Sequence, residues 1–110
     1  ANAKITAGDI INAIDIPAGF FLHYVYVKVT EAGTAGNTID IGENTTNADG
    51  FVNGGDIATV GYFMTDDTDD YGVDNEFGLL FTAADTLDVT YVADEVTGSF
   101  TVYAVGFMPY

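Results

Sequence analysis

The stretch FFLHYVYVKVT at residues 20–30 constrains the fold more than any other part of the sequence. It contains neither Gly nor Pro, and it is rich in the aromatic and β-branched side chains that suit a pleated, half-buried surface. At the period of two that a strand imposes, one face is nearly all apolar and consists of Phe21, His23, Val25, Val27 and Val29. We therefore predict a long central strand with this set on the core.

The opposite face of the same strand changes character along its length. It is apolar at Phe20 and Leu22, carries Tyr24 and Tyr26 in its middle, and ends polar at Lys28 and Thr30. We expect its first part to lie under a neighbour or partner and its last part to emerge into water.

The rest of the chain divides into short apolar segments between turns rich in Gly and Asp, and no stretch has a convincing helical period. Predicted strands cover residues 10–16, 20–30, 38–42, 57–65, 77–81, 86–92 and 99–108, with a short apolar contact at 51–52. About eight such strands indicate an all-β fold, an antiparallel β-sandwich with a jelly-roll-like arrangement. Residues 1–9 are small and polar, so we predict an N-terminal arm followed by a single domain at 10–110.

The charge balance is extreme, with 17 Asp and Glu against two Lys and a formal net charge of −15. Binding to nucleic acid depends on Lys and Arg at phosphates, and attraction to anionic membranes depends on the same residues. We therefore expect no nucleic-acid or membrane partner. The acidity fits either a basic protein partner or adaptation to a saline habitat.

The chain has no Cys, which excludes disulfides and thiolate metal sites. It also has no basic segment leading into a long apolar run, so we expect neither a secretory signal nor a membrane span.

The densest charge lies at Asp66, Asp67, Asp69 and Asp70. Carboxylate oxygens are hard ligands that suit calcium, but the spacing does not match an EF-hand. A solvated acidic loop explains the same residues more simply, so they stay weak metal candidates and we predict no bound metal or cofactor.

No catalytic signature is present, and we predict that the protein is not an enzyme. His23 is the only histidine and has no Cys or second His to complete a zinc site or a triad, so we interpret it as structural. The seven Tyr and eight Phe are compatible with a sugar-binding platform, but most stand at strand positions where we expect core packing.

Both ends of the chain are candidates for a partner interface. The N-terminal arm is able to add a strand to an exposed sheet edge, and the C-terminal end is apolar to its last residue. We expect that apolar end to dock either on the protomer's own core or on a neighbour. The predicted interface residues are Ala1, Asn2, Ala3, Lys4, Ile5, Phe107, Met108 and Tyr110.

Four segments together carry a resemblance to a known kind of protein: IDIPAGFFLHYVYVKVTEAGTAGNTIDIGE, NADGFVNGGDIATVG, LLFTAADTLDVTY and GSFTVYAVGF. An IPAG turn leads into a long strand, a TIDIG strand follows, and a strand with a VYA core closes the pattern. The chain resembles small β-sandwich virion proteins of tailed bacteriophages over residues 14–107. The resemblance rests on turns and strands rather than on chemical motifs.

The role that the resemblance implies is that of a capsid decoration, or cement, protein. Such a protein is made in the host cytoplasm, lies on the capsid surface of the virion and bridges subunits of the major capsid protein. It would form a homo-oligomer, a dimer or a trimer. The alternative is a module associated with the tail or a fibre that recognises a host glycan.

Overall fold

The computed structural model describes residues 5–43, 47–66, 69–72 and 78–109. In this part of the chain the fold is all-β, without a helix, and consists of two antiparallel sheets packed face to face. The strands are β1 (Ile10–Ile16), β2 (Phe21–Glu31), β3 (Thr38–Gly42), β4 (Val52–Asp56), β5 (Gly61–Met64), β6 (Leu79–Leu80), β7 (Asp85–Tyr91) and β8 (Ser99–Phe107). No helix in these ranges has the length and apolarity that a membrane crossing needs.

Sheet A has the order β1-β7-β3-β4, and sheet B is built around β2. In sheet B, β8 pairs with β2 along one side, while β5 and β6 pair with the two halves of its other side. The chain changes sheet repeatedly as it runs, for example from β1 to β2 and back to β3. The all-β sandwich of eight strands that the sequence predicts is confirmed.

The core lies between the two sheets. Sheet B contributes Leu22 and three valines of β2, and sheet A contributes alternate residues of β3 and β7. The fully buried members from the strands are Leu22, Val25, Val27, Ile39, Ile41 and Leu87. Phe51, Ile57 and Phe81 close the core from the connections between strands.

The central strand differs from its prediction at its beginning. Val25, Val27 and Val29 are buried as expected, but Leu22 takes the core position in place of Phe21 and His23, which are half-buried. The cause is a β-bulge at His23: Leu22 pairs with Gly106, and Tyr24 already pairs with Val105. One extra residue in β2 reverses which residues face inward before that point.

The fourth strand was missed by the sequence pattern. Residues 53–56, NGGD, are typical of a turn, yet they form most of β4, which pairs with β3. A Cβ at Gly55 would meet the ring of Phe63 in β5, so this strand needs a residue without a side chain where the edges of the two sheets meet.

Candidate interaction surface

The outward side of sheet B is a continuous aromatic and apolar surface. It carries the outward side chains of β2, β5, β6 and β8, and we call it the aromatic face. Its members are Phe21, Tyr24, Tyr26, Lys28, Tyr62, Met64, Leu80, Thr101, Tyr103, Val105 and Phe107.

The strand registers bring these residues into rows across the sheet. Tyr26 of β2 lies between Tyr103 of β8 and Met64 of β5. The Tyr26 ring stacks on Tyr62 with centroids 5.6 Å apart, and it tilts against Tyr103 at 5.7 Å. Tyr62 is still 71% exposed, so this cluster faces solvent and does not belong to the core.

Beyond the bulge at His23 the surface continues with a second apolar row. Phe21 pairs with Phe107 on one side and with Leu80 on the other. The Phe21 and Phe107 rings are 5.5 Å apart, and Phe107 is 55% exposed. His23 connects the two rows, because its ring lies 6.3 Å from Phe21 and 5.4 Å from Tyr24.

No member of the aromatic face is a carboxylate, and Glu31, which pairs with Ser99 at the end of β2, lies at the border of the face. No Asp or Glu occurs between Phe21 and Thr30, in β5, in β6 or in β8, although the chain has 17 of them. The only charged side chain on the face is that of Lys28. The face is therefore a neutral to slightly basic surface on a strongly acidic molecule.

The outward side of sheet A has the opposite character. Asp40 lies opposite Thr90, and Asp88 lies opposite Asn12, while Leu87 and Val89 beside them point into the core. The Asp88 carboxylate accepts a hydrogen bond of 2.6 Å from the Thr86 hydroxyl. One outer face of the sandwich is thus acidic and polar, and the other is aromatic.

An acidic cleft of about 380 Å³ lies beside β4 and β5. Its walls include Phe63 and Met64, and its carboxylates are Asp49, Asp56, Asp66, Asp69 and Asp70. The structure therefore brings three of the four weak metal candidates to one cleft, while Asp67 lies outside the described residues. No group of three or more potential ligands with metal-binding geometry occurs in the described ranges.

The Asp69 carboxylate has a structural role in this cleft. Its Oδ2 accepts the Asp66 N–H at 2.6 Å, which closes the turn after β5. Burial raises the pKa of Asp69 above its ordinary value, and the negative charges of Asp66, Asp49 and Asp70 raise it further, against the lowering effect of this hydrogen bond.

A buried carboxylate, Glu95, connects the β2–β3 and β7–β8 loops. The Thr34 N–H donates to both of its oxygens at 3.0 and 2.9 Å, and the Thr34 hydroxyl donates at 2.7 Å. Asn37 Nδ2 donates at 3.0 Å and the Thr97 N–H at 3.2 Å. Burial raises the pKa of Glu95, but these hydrogen bonds outweigh burial and lower the pKa to about 2.

Glu43 and Tyr71 form a further pair near the acidic cleft. The Tyr71 hydroxyl lies 3.1 and 3.2 Å from the two Glu43 carboxylate oxygens. Burial raises the pKa of Glu43, and the charges of Asp85 and Asp88 add to that effect, while the bond from Tyr71 opposes it. The pair ties the end of β3 to the loop after β5.

The predicted interface residues in the described part of the chain do not form one surface. Ile5 is half-buried and exchanges two backbone hydrogen bonds with Glu95 of the same chain, at 2.7 and 2.8 Å. Phe107 lies on the aromatic face at the far end of β8, roughly 27 Å along the strand from Ser99. Met108 is half exposed just beyond Phe107. Residues 1–4 and Tyr110 lie outside the described residues.

Sequence reasoning placed Tyr24 and Tyr26 on the side of β2 away from the core but did not identify the aromatic face as a continuous surface. The signal was present, because the period of two in β2 already separates Tyr24 and Tyr26 from the core valines. The assumption that most aromatic residues pack in the core concealed it. The loop role of Glu95 had no local signal, since its donors Thr34 and Asn37 come from a distant part of the chain.

Comparison with known proteins identifies no relative: no family model, no curated protein and no solved structure matches this chain. The aromatic face is the feature of the described structure that bears most directly on function.

Proposed function

We propose that this protein is a non-catalytic structural protein that docks its aromatic face on a larger protein assembly, as a capsid decoration protein does on the outside of a virion. The observation that carries the proposal is an exposed aromatic surface, with carboxylates only at its border, on a chain of net charge −15. The partner would be the major capsid protein, and the site of action the capsid surface after synthesis in the host cytoplasm. The sequence resemblance to phage virion proteins supports this choice of assembly.

The chemistry of the face fits a protein partner. Large exposed apolar patches on small proteins mark interaction sites, and the centres of protein interfaces are enriched in Tyr, Phe and Met and poor in charge. Docking Tyr26, Tyr62 and Tyr103 would bury apolar area without burying an unpaired carboxylate. Tyr is also one of the residue types that contribute most of the binding energy at protein interfaces.

The carboxylates outside the aromatic face would orient the molecule as it approaches a protein partner. Glu31 ends β2 and Asp66 follows β5, so carboxylates border the face at both ends of the strand pair. A partner with an apolar centre and a basic rim would attract this border and accept the face, and high salt would slow the association.

The first test is to quantify this protein in purified virions by mass spectrometry, relative to the major capsid protein. Copy numbers in simple proportion to the shell are expected. A few copies per particle would move the protein to the tail or a vertex, and absence from particles would overturn the virion proposal.

The second test locates the docking surface on capsids. In co-sedimentation with shells that lack the protein, Tyr62→Ser is expected to bind at least about tenfold more weakly, because each docked face loses the roughly 1.4 kcal/mol that a peripheral hot-spot tyrosine provides. Val92→Ser is the matched control, because Val92 is also exposed but follows β7 in sheet A. Equal binding of both variants and the wild type would show that the aromatic face is not the docking surface.

A second candidate function, glycan recognition, is favoured by one observation. Tyr24, Tyr26, Lys28, Tyr103 and Val105 line a shallow depression of about 380 Å³ on the aromatic face. Aromatic rings with one polar side chain suit the apolar face and hydroxyls of a sugar. A glycan array with reproducible hits that Tyr26→Ser abolishes would favour this function over capsid docking, and an array without hits would remove it.

A further inference from the structure

The outer edge of β8 has no backbone partner in the described part of the chain. β8 pairs only with β2, and no backbone hydrogen bond links residues 99–107 to any other element. The strand, SFTVYAVGF, has nine residues and carries no charge and no proline. Natural proteins protect edges of this kind, because free N–H and C=O groups recruit another strand.

The direction in which the N–H and C=O groups of β8 point follows from the hydrogen bonds that β2 makes on its opposite side. The N–H of Thr65 donates to the Val25 carbonyl at 2.9 Å, and the N–H of Val25 donates to Thr65 Oγ1 at 2.9 Å. The backbone groups of Val25 therefore point away from β8, so Ala104, its partner, also points its groups away from β2. By alternation along β8, Phe100, Val102 and Gly106 point the same way.

The other edges of the two sheets carry the usual protection. β1 has a bulge at Ala13 and an exposed Asp15, and β4 is a five-residue strand with two glycines that ends at Asp56. β5 and β6 have four and two residues. Short strands, bulges and charges all disfavour pairing with another chain. Among the described strands, β8 is the long edge that lacks all three.

We propose that β8 pairs antiparallel with β8 of a second copy of this chain, about a two-fold axis at Tyr103. Tyr103 is the middle residue of the strand, so this register overlaps the whole of β8. Its backbone groups point toward β2, so the two Tyr103 residues form a non-hydrogen-bonded pair with Cα atoms about 4.5 Å apart. The neighbouring residues Val102 and Ala104 exchange the hydrogen bonds.

Side-chain size and charge make the strand complementary to itself in this register. On the core side, Phe100 lies opposite Gly106 of the second copy, and Val102 lies opposite Ala104. On the aromatic side, Thr101 lies opposite Val105. Away from the central pair of Tyr103 residues, Phe100 and Phe107 meet the small residues Gly106 and Ser99, and no like charges face each other although each copy carries −15. In this register the β8 side chains that face each other therefore bring no like charges together, and the two Tyr103 side chains are the one pair of large residues.

The symmetry has a consequence for the aromatic face. A two-fold axis between antiparallel neighbouring strands runs perpendicular to the sheet, so both copies present this face on the same side. The dimer forms one continuous sheet and one platform of twice the area. This pairing does not depend on what the platform binds.

The test measures mass by sedimentation equilibrium up to millimolar protein, with circular dichroism to confirm folding. The wild type is expected to be dimeric. Tyr103→Lys and Tyr103→Glu each place like charges opposite one another, so the dissociation constant is expected to rise at least tenfold for either variant alone. An equimolar mixture of the two variants is expected to recover a dimer that contains one copy of each.

Two further variants distinguish an effect on the edge of β8 from an effect on the aromatic face. Tyr62→Lys adds the same charge as Tyr103→Lys on the same face but away from β8, and it should stay dimeric. Ala104→Pro removes an N–H that points outward and leaves the pairing with β2 intact, so it should be monomeric. The proposal is overturned by a monomeric wild type, by a trimer, by a dimer that survives Ala104→Pro, or by a charge-variant mixture that stays monomeric.

Discussion

Replacing the buried carboxylate of Glu95 tests how the loops of this sandwich are held together. Glu95→Gln keeps the shape of the side chain but removes the charge and turns one acceptor into a donor that faces the Thr34 and Thr97 donors. The folded pKa of Glu95 is about 2 against an ordinary value of 4.5. At about 1.4 kcal/mol per pKa unit, this difference sets an upper limit of about 3 kcal/mol on the stabilisation.

Solvent close to Glu95 screens its charge and reduces this stabilisation. A hollow of about 260 Å³ lined by Tyr91, Thr97 and Phe100 opens beside Glu95. We therefore expect Glu95→Gln to lower the free energy of unfolding by about 2 kcal/mol at pH 7, which is roughly 8 °C or more in Tm for a domain of this size. The measurement is urea denaturation followed by circular dichroism.

The pH dependence gives the sharper test. Because the folded pKa is lowered, the stabilisation is fully present above about pH 4.5 and is lost as the pH falls toward 2. The difference in unfolding free energy between wild type and Glu95→Gln should shrink over the same range. Glu31→Gln is the control, since it removes the same charge from an exposed position and should change stability by less than about 0.5 kcal/mol. A Glu95→Gln effect below that value, or one independent of pH, would refute the reasoning.

Three further outcomes are expected. Leu22→Ala, at a fully buried position of β2, should cost about 2–5 kcal/mol in urea denaturation, and a cost below about 1 kcal/mol would contradict its place in the core. Gly106→Ala should destabilise the fold by more than about 1 kcal/mol, because the added Cβ would meet the Phe21 carbonyl oxygen, and a neutral result would contradict the close approach of β8 to β2. Tyr71→Phe should raise the pKa of Glu43 further, since it removes a hydrogen bond to the carboxylate; NMR titration of the Glu43 side chain measures this, and an unchanged or lower pKa would argue against the bond.

The parts of the fold that sequence predicts are those governed by local periodicity. Val25, Val27 and Val29 alternate with polar or aromatic residues, and the bounds of β1 and β3 follow from the turns around them. The bulge at His23 has no such signal, because it depends on how β8 closes against β2. The same holds for β4, whose Gly54 and Gly55 are typical of a turn. Only the pairing with β3 and the approach of the Phe63 ring to Gly55 show that they belong to a strand.

The candidate surface was likewise predictable from the sequence only in part. Phe107 was predicted as an interface residue from its place near an apolar chain end, and it does lie on the aromatic face. Tyr62 and Tyr103 join that face only through pairing with β2, which brings together residues that are far apart in the sequence. A surface of this kind is a property of strand order, and strand order is not contained in any local pattern.

The two proposals predict different effects on docking, which allows each to be tested in the presence of the other. A β8 pair would place two aromatic faces on one side, so a dimer would meet a repeating partner surface with two sites at once. Ala104→Pro would remove the β8 pair, and with it the avidity that a second docked site provides. Docking on intact shells should then weaken on the order of a hundredfold or more, while docking on an isolated capsid subunit stays unchanged. Tyr62→Ser should weaken docking on the isolated subunit as well, because it acts on the face itself, and it should weaken docking on intact shells more, since a dimer loses the contact at both sites. If Ala104→Pro instead weakened docking on the isolated subunit, the edge of β8 would belong to the docking surface, and a capsid subunit would be its partner in place of a second copy.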